Sequence, residues 1–205
     1  AAIFTAAALG APREVQPGVY FDDFEDGQMG QLGVEGQKSS QPKSMAVVSE
    51  GRNKALHLSG AFHTRVYFTE KKFRNCVVET RIKKGRGSYA GVVVRDNCHV
   101  YFQMRGALCL NTLHGKLLFQ SDEAFQGYHD LKVVCVGPII RAYVDGELIF
   151  TQQIDDGEGR VGFYAHNSEV FYDSFRVGPV TDPLLALRIE PKAQDDSLVF
   201  APGAP

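Results

Sequence analysis

The sequence carries two similar segments, one near each end of the region that can fold. They are Phe21-Asp22-Asp23-Phe24 and Phe171-Tyr172-Asp173-Ser174-Phe175, and each sets acidic residues between aromatic rings. An aromatic–acid–aromatic strand at each end of a domain indicates that the first and last strands pair with each other. We therefore predict that this pairing closes a single β-sandwich, a scaffold whose function depends on its surface residues rather than on the fold alone.

Nearly every segment between them has the pattern of a β-strand, and none has the 3.6-residue period of an amphipathic helix. Asp145-Gly146 stands between two such strands and predicts a tight hairpin, because both turn positions need positive φ. His114-Gly115 and Arg105-Gly106 predict further tight turns. The predicted strands cover residues 19–25, 45–49, 54–59, 62–69, 74–84, 88–95, 98–105, 107–113, 115–121, 128–136, 138–144, 147–153, 160–166 and 169–177.

The length and composition fit one large β domain with flanking segments. A chain of 205 residues, 44% of them hydrophobic, can bury a sizeable core. We predict an all-β fold, a jelly-roll β-sandwich of two antiparallel sheets, over residues 18–178. Residues 1–17 are predicted to be a leader, either a signal-peptide remnant that directs a secreted or periplasmic location or an apolar strap. Residues 179–205 are predicted to be a Pro-rich extension or linker.

Charge and cysteine usage narrow the possible partners. The formal net charge is −2, whereas a nucleic-acid-binding domain would normally be basic. No apolar run approaches the ~20 residues needed to span a membrane. The cysteines all fall within predicted strands without C-x-x-C spacing, which disfavours a zinc site. We expect them to be buried as small hydrophobic residues, and one disulfide stays open if the chain is secreted. They are Cys76, Cys98, Cys109 and Cys135.

Alternation along the strands assigns side chains to the two faces of a sheet. In residues 98–105, Cys98, Val100, Phe102 and Met104 are predicted to face the core, and the residues between them to face outward. An outer face rich in Arg, Tyr, Gln and His is either an ordinary solvated sheet or a sugar-binding surface. On a sugar-binding surface, Tyr rings would stack on pyranose C–H groups and the other side chains would hydrogen-bond hydroxyls. The candidate ligand-binding residues are Arg95, Tyr101, Gln103, Asn111, Arg141, Tyr164 and His166.

Asp173 is unusual because it shares a predicted face with Phe171 and Phe175, which should point inward. A carboxylate in that position must be paired, hydrogen-bonded or bound to a metal. Asp22 and Asp23 lie on the strand that we expect nearby. Two alternatives follow: backbone N–H groups satisfy Asp173, or Asp22, Asp23 and Asp173 together hold a Ca²⁺ ion.

The order of these motifs resembles that of the concanavalin A-like lectin/glucanase superfamily. Within it, the chain is most similar to laminin-G-like and keto-disaccharide-hydrolase-like domains, which are often attached to secreted polysaccharide-degrading enzymes. The resemblance covers residues 18–178 and implies a jelly-roll sandwich with a ligand on the concave sheet or its rim loops. It rests on Phe21–Phe24, Tyr89–Arg95, His99–Phe102, Tyr128–Val133, Ala142–Gly146, Gly159–Phe163 and Phe171–Phe175.

The chain departs from this group in two respects. It contains no Trp, although such domains usually carry Trp in the N-terminal third. The laminarinase-type glycosidases of the superfamily place their nucleophile and acid on one strand in an E-x-D-x-x-E motif, and no such motif occurs here. The strand Val77–Ile82 has a single acid, Glu79. These departures weaken the case for sugar binding and disfavour catalysis.

Three hypotheses about function follow. The first is a non-catalytic carbohydrate-binding or accessory module of a secreted glycan-active protein, with a polysaccharide or oligosaccharide as partner. The second is a structural or interaction subunit of a larger assembly, in which residues 1–17 and 179–205 contact neighbouring domains or subunits. The third is a glycoside-cleaving enzyme with a non-standard site that uses His166, Asp130 or Glu169.

Overall fold

The computed structural model describes residues 12–29, 32–35, 41–112 and 114–180. None of these segments forms a helix that is long and apolar enough to cross a membrane. Residues 1–11 of the predicted leader and 181–205 of the predicted extension lie outside the described ranges. The described strands are β1 Arg13–Gln16, β2 Val19–Asp22, β3 Gly33–Glu35, β4 Ser44–Glu50, β5 Asn53–Gly60, β6 Thr64–Tyr67, β7 Cys76–Val94, β8 Cys98–Phe102, β9 Leu108–Thr112, β10 Leu117–Gln120, β11 Tyr128–Val136, β12 Ile139–Val144, β13 Glu147–Gln153 and β14 Gly162–Pro179.

Two long strands, β7 and β14, form the spine of the fold. They pair antiparallel along almost their whole length, from Gly162 opposite Val93 to Pro179 opposite Cys76. The sequence predicted two separate strands for each. Gly87 lies where the prediction divided β7, and a Cβ atom there would come within 2.0 Å of the Asn167 carbonyl oxygen. Glycine therefore permits a close approach within a continuous strand, where the sequence pattern indicated a turn.

The two ends of this spine belong to different leaves of a sandwich. The first leaf has the order β3-β6-β14-β7-β8-β9-β10, and the second has the order β1-β2-β14-β7-β11-β12-β13. β5 pairs with the middle of β14 and carries β4 on its other edge. The far edges of the leaves meet where the ring of Phe119 on β10 lies 4.7 Å from that of Phe150 on β13. All of these strand pairings are antiparallel, so the predicted β-sandwich is confirmed.

One hydrophobic core fills the space between the leaves. Val92, Val100 and Leu110 contribute from the first leaf, and Val78 and Val133 from the second. Burying these apolar side chains is the main favourable contribution to folding. Because one core serves both leaves, the chain folds here as one β domain.

The predicted inward-facing residues of β8 agree with this core except at its end. Cys98, Val100 and Phe102 are buried, whereas Met104 is 68% exposed. β8 ends at Phe102 and a turn follows, so alternation no longer applies at Met104. The prediction that Met104 faces the core was therefore wrong.

The cysteines are buried, as the sequence predicted, and all four are free, so the disulfide that the sequence left open is not formed. Cys76 and Cys135 are register partners on β7 and β11. Burial raises the pKa of the Cys98 thiol, and a hydrogen bond with Cys135 together with burial raises that of Cys76. The thiols of Cys76 and Cys98 therefore stay protonated and pack as small apolar groups.

The two terminal aromatic–acid segments pair, as predicted. On β2 and β14, Asp22 lies opposite Phe175 and Tyr20 lies opposite Val177. A register shift between Tyr172 and Ser174 marks a β-bulge within β14. Tyr172 and Phe175 are both fully buried, so the bulge changes the phase of the alternation.

Because of the bulge, the environment of Asp173 differs from the predicted one. Phe171 faces outward and stacks on the ring of His57 at 4.7 Å, and Asp173 is the partly exposed residue between the two phases. Asp173 pairs with Arg81, whose Nε lies 3.5 Å from its carboxylate. An arginine therefore satisfies the carboxylate that we predicted would be bound by backbone N–H groups or a metal.

Candidate functional site

The outer surface of the first leaf carries a cluster of aromatic and imidazole side chains, which we call the tyrosine–histidine face. Alternation along β6, β7, β8 and β14 turns these side chains away from the core, and strand register sets them beside one another. The face consists of Arg65, Tyr89, His99, Tyr101, Tyr164 and His166, with Phe62 and His63 at its rim.

Gly91 sets the spacing at the centre of the face. It is the register partner of Tyr164 on one side and of Tyr101 on the other. Because Gly91 has no side chain, the two tyrosine rings approach across it to 5.8 Å. A Cβ atom on Gly91 would lie 2.1 Å from the carbonyl oxygen of Val100. The sequence thus needs glycine at this position for β7 and β8 to approach so closely.

The rings form a packed layer. His99 stacks on Tyr164 with 4.1 Å between centroids and 16° between planes. Tyr89 contacts Tyr101 at 4.9 Å and His166 at 5.2 Å. Tyr164 is only 2% exposed, whereas Tyr89 and His166 are half-buried. The layer therefore leaves Tyr89 and His166 partly accessible at the surface and supports them from beneath.

The tautomer of His99 follows from its hydrogen bond. Arg65 Nε lies 3.0 Å from His99 Nε2, and an arginine nitrogen can only donate. His99 Nε2 is therefore the unprotonated acceptor, and the proton is on Nδ1. Burial, with smaller contributions from Arg65 and His63, lowers the pKa of His99 to about 3. His99 is thus neutral at any physiological pH.

The rim adds polar groups that point at the layer. His63 Nδ1 lies 3.0 Å from the Tyr164 hydroxyl, and His63 contacts the His166 ring edge-on at 4.4 Å. Burial lowers the pKa of His63 and of His166. The pKa of His63 is lowered further by the nearby His166 and Arg65 side chains. Phe62 is 54% exposed beside them. The rim is therefore uncharged near neutral pH and part apolar.

Two polar atoms in this region lack partners. His166 Nδ1 and Asn111 Oδ1 are both buried, and neither has a hydrogen-bond partner among the residues that the structure describes. Asn111 is the register partner of His99 on β9, so it extends the face. Burial raises the pKa of the Tyr101 and Tyr164 hydroxyls above the usual range, so both remain protonated. Unpartnered buried polar atoms are costly unless a ligand or water completes them.

The structure brings together part of the predicted ligand-binding set. Tyr101, Tyr164 and His166 lie in the tyrosine–histidine face, with Asn111 beside them. Gln103 follows the end of β8, where its backbone N–H donates to the Ala107 carbonyl oxygen at 2.9 Å. These five residues all belong to the first leaf or its edge.

Arg95 and Arg141 lie elsewhere. Arg95 is 1% exposed, and its guanidinium donates to the carbonyl oxygens of Arg74, Gly137 and Asp155 at 3.0, 2.8 and 3.2 Å. The prediction that it faces outward was wrong, because the turn after β7 directs it inward. Arg141 is on β12 in the second leaf and is largely buried. We therefore leave both out of the candidate site.

Residue-level reasoning missed Arg65, Tyr89 and the rim histidine His63. Alternation on the predicted strand 62–69 would have found Arg65, because the even-numbered residues Val66 and Phe68 are clear core residues and Arg65 has the opposite phase. His99 was placed correctly on the outer face with Tyr101, although it was not chosen as a ligand-binding residue. Nothing in a single sequence shows that β6 lies next to β14, which is what brings Arg65 to His99.

The predicted calcium ligands are not brought together. Asp22 Oδ1 accepts from the Phe24 N–H at 2.7 Å, and Asp23 Oδ1 accepts from the Glu25 N–H at 3.3 Å. Among the described residues, no group of three His, Cys, Asp or Glu side chains is placed to hold a metal ion. These carboxylates instead stabilise local turns, and Asp173 pairs with Arg81.

The residues considered for catalysis lie on two strands, His166 and Glu169 on β14 and Asp130 on β11. His166 lies on the first leaf, whereas Asp130 is on β11 of the second leaf, 3.6 Å from an Arg81 nitrogen. Glu169 lies on the part of β14 that pairs with β5. Asp130 is therefore on a different leaf from His166, and its described ion pair is with Arg81.

Comparison with known proteins identifies the fold. No family model matches the sequence, and no curated protein is significantly similar to it. Carbohydrate binding module CBM66 from Bacillus subtilis has a TM-score of 0.55 at 10% identity, over 65% of this chain and 91% of its own. A β-1,3-1,4-glucanase (lichenase) derived from a mouse hindgut metagenome has a TM-score of 0.57 at 12% identity, over 80% and 100%. Domain 4 of AbnA, an extracellular GH43 arabinanase from Geobacillus stearothermophilus solved with arabinotriose, has a TM-score of 0.53 at 12% identity, over 81% and 94%.

At these sequence identities, the similarity to the three structures shows a shared fold and nothing about a shared function. The chain is a jelly-roll β-sandwich of two antiparallel sheets, the fold that the sequence predicted. The same architecture occurs in carbohydrate-binding modules and in glycoside hydrolases. Because one fold can carry different functions, function depends on the residues of the site.

Proposed function

We propose that this chain is a non-catalytic carbohydrate-binding module that holds a sugar chain on the tyrosine–histidine face. The observation that carries the proposal is the ring layer on the outer surface of the first leaf, with unpartnered polar atoms beside it. Aromatic rings stack on the apolar C–H face of a sugar, and the polar atoms at their edges suit its hydroxyls. The fold, which sandwich domains of sugar-binding proteins share, supports the same proposal.

The half-buried side chains of the face and its edge each have a role in this proposal. Tyr89 supplies the accessible ring, supported from beneath by Tyr101. His166 Nδ1 and Asn111 Oδ1 are buried without a described partner, and a ligand that reorients these side chains would complete them. Glycoside cleavage ordinarily uses a pair of carboxylates, and the described side chains of this face include none, which supports binding without cleavage. A module that binds polysaccharides works where those polymers are, so we further propose a secreted or periplasmic location.

Affinity electrophoresis against a panel of neutral and acidic polysaccharides tests the proposal. The wild-type chain should be retarded by at least one polymer, and Tyr89→Ala should weaken that retardation about fivefold, because one ring–sugar contact is worth about 1 kcal/mol. Tyr143→Ala is the matched control, since Tyr143 is an equally half-buried tyrosine on β12 of the second leaf. Retardation by no polymer, or equal losses in both variants, would refute the proposed site.

A further inference from the structure

Arg65 is held in a fixed position on the tyrosine–histidine face. It is the register partner of Tyr164, and its Nε donates to His99 Nε2 at 3.0 Å. The side chain is half-buried. Because Nε is engaged, the planar guanidinium has a defined orientation, and its two terminal nitrogens remain as donors.

The charge of Arg65 is not balanced by any carboxylate whose side chain the structure describes. No carboxylate whose side chain the structure describes lies within ion-pair distance of it, whereas five other arginines have such partners. The side chains that face it are His63, His99 and Tyr164, which the contacts above keep neutral. The arginines with carboxylate partners are Arg74, Arg81, Arg95, Arg160 and Arg176.

A half-buried guanidinium without an anion loses hydration and gains no compensating contact. Its fork of N–H donors matches a planar carboxylate, with which it forms short, paired hydrogen bonds. In a sugar chain, a planar carboxylate at the edge of the ring is the C6 group of a hexuronic acid. The neighbouring rings would then contact the apolar face of the same sugar.

We propose that Arg65 makes this face selective for polysaccharides that contain uronic acid, with the uronate carboxylate paired to the Arg65 guanidinium. This inference rests on the proposed function and specifies the ligand class of the same site. It predicts that the carboxylate, and not the polymer backbone alone, determines retention.

The experiment compares matched polymers. Affinity electrophoresis is run with polygalacturonate and alginate, with the same two polymers after chemical reduction of their carboxylates to alcohols, with a sulfated polysaccharide and with neutral glucans. The wild type should be retarded by at least one uronate polymer and at least tenfold less by its reduced form. Arg65→Gln should lose at least tenfold on the same polymer, while Arg65→Lys, which keeps the charge without the fork, should fall between them.

Arg52→Gln is the matched control because it removes the same charge from an exposed turn between β4 and β5. It should bind as the wild type does, and thermal melts should show that every variant is folded. Glu35 is the backbone register partner of Arg65 on β3, so Glu35→Gln is included. Unchanged or tighter uronate binding is expected there, because removing a carboxylate cannot weaken an arginine–carboxylate pair.

The outcomes separate the two proposals. Equal binding to native and reduced polymers, stronger binding to the sulfated polymer, or loss of uronate binding in Glu35→Gln with Arg65→Gln unaffected would overturn the uronate inference and leave the binding module intact. Retention by a neutral glucan alone would do the same. Retention by none of the polymers would refute the proposed function itself.

Discussion

At the scale of single residues, His99 shows how a buried side chain fixes its own protonation. Its Nε2 accepts from Arg65, its ring stacks on Tyr164, and it is 3% exposed. A second proton would place two positive charges side by side in a poorly hydrated position. The neutral form is therefore part of the folded structure.

This arrangement predicts that stability falls in mild acid. The pKa of His99 is about 3 in the folded chain and about 6.5 when unfolded, so below pH 6.5 the unfolded state binds more protons. Stability from this group is complete above pH 6.5 and is lost progressively as pH falls toward 3. We expect a loss of about 2 kcal/mol between pH 7 and pH 5, measured by urea unfolding at both values.

His99→Gln is the control for that measurement. Glutamine keeps an oxygen that can accept from Arg65 Nε but does not titrate. The variant should be less stable at pH 7, yet its further loss on going to pH 5 should be clearly smaller than that of the wild type. Equal losses in the two proteins would show that His99 does not carry the effect.

At the scale of strands, the contact between β7 and β8 depends on Gly91. Gly91→Ala should lower the free energy of unfolding by about 1–3 kcal/mol, because its Cβ would meet the Val100 carbonyl and the backbone cannot move aside freely. Gly157→Ala is the control, since its Cβ would lie 3.9 Å from the nearest atom, Asn97 Nδ2. Chemical denaturation of both variants tests this, and similar stabilities would contradict it.

The strands also show where sequence reasoning stopped. Alternation correctly assigned Val100 and Phe102 on β8 to the core. On β14, however, the inward-facing positions change from one alternating set to the other at the bulge beside Asp173. Only the partner strand reveals that switch. Arg95 was misplaced for a similar reason: Arg95 and Asp96 both have positive φ, at 54° and 55°, in a turn without glycine. Such turns carry little signal in a single sequence.

At the scale of the whole molecule, the sequence predicted the sandwich and the pairing of its terminal segments, because both follow from local patterns of aromatic and β-branched residues. It could not predict that single strands run through both leaves, since Gly85-Arg86-Gly87 has the composition of a turn. It also could not assemble the tyrosine–histidine face, which draws on strands far apart in the chain. Long-range register is set by packing that no local pattern records.

Closure of the sandwich predicts one further result. Phe150→Ala removes the ring that meets Phe119 where β10 and β13 come together, and we expect a loss of about 3–5 kcal/mol of stability. Leu148→Ala, on the same strand but 44% exposed, should change stability by no more than about 0.5 kcal/mol. Thermal or urea unfolding distinguishes the two, and a small effect of Phe150→Ala would mean that the edges are not held by this contact.

The continuity of β7 and β14 through both leaves has a consequence for how the molecule melts. Because β7 and β14 each contribute residues to both leaves, unfolding of one leaf would also disrupt the two central strands of the other. We therefore expect cooperative unfolding in a single transition. A sugar bound to the first leaf would therefore raise the melting temperature recorded by a probe placed anywhere on the second.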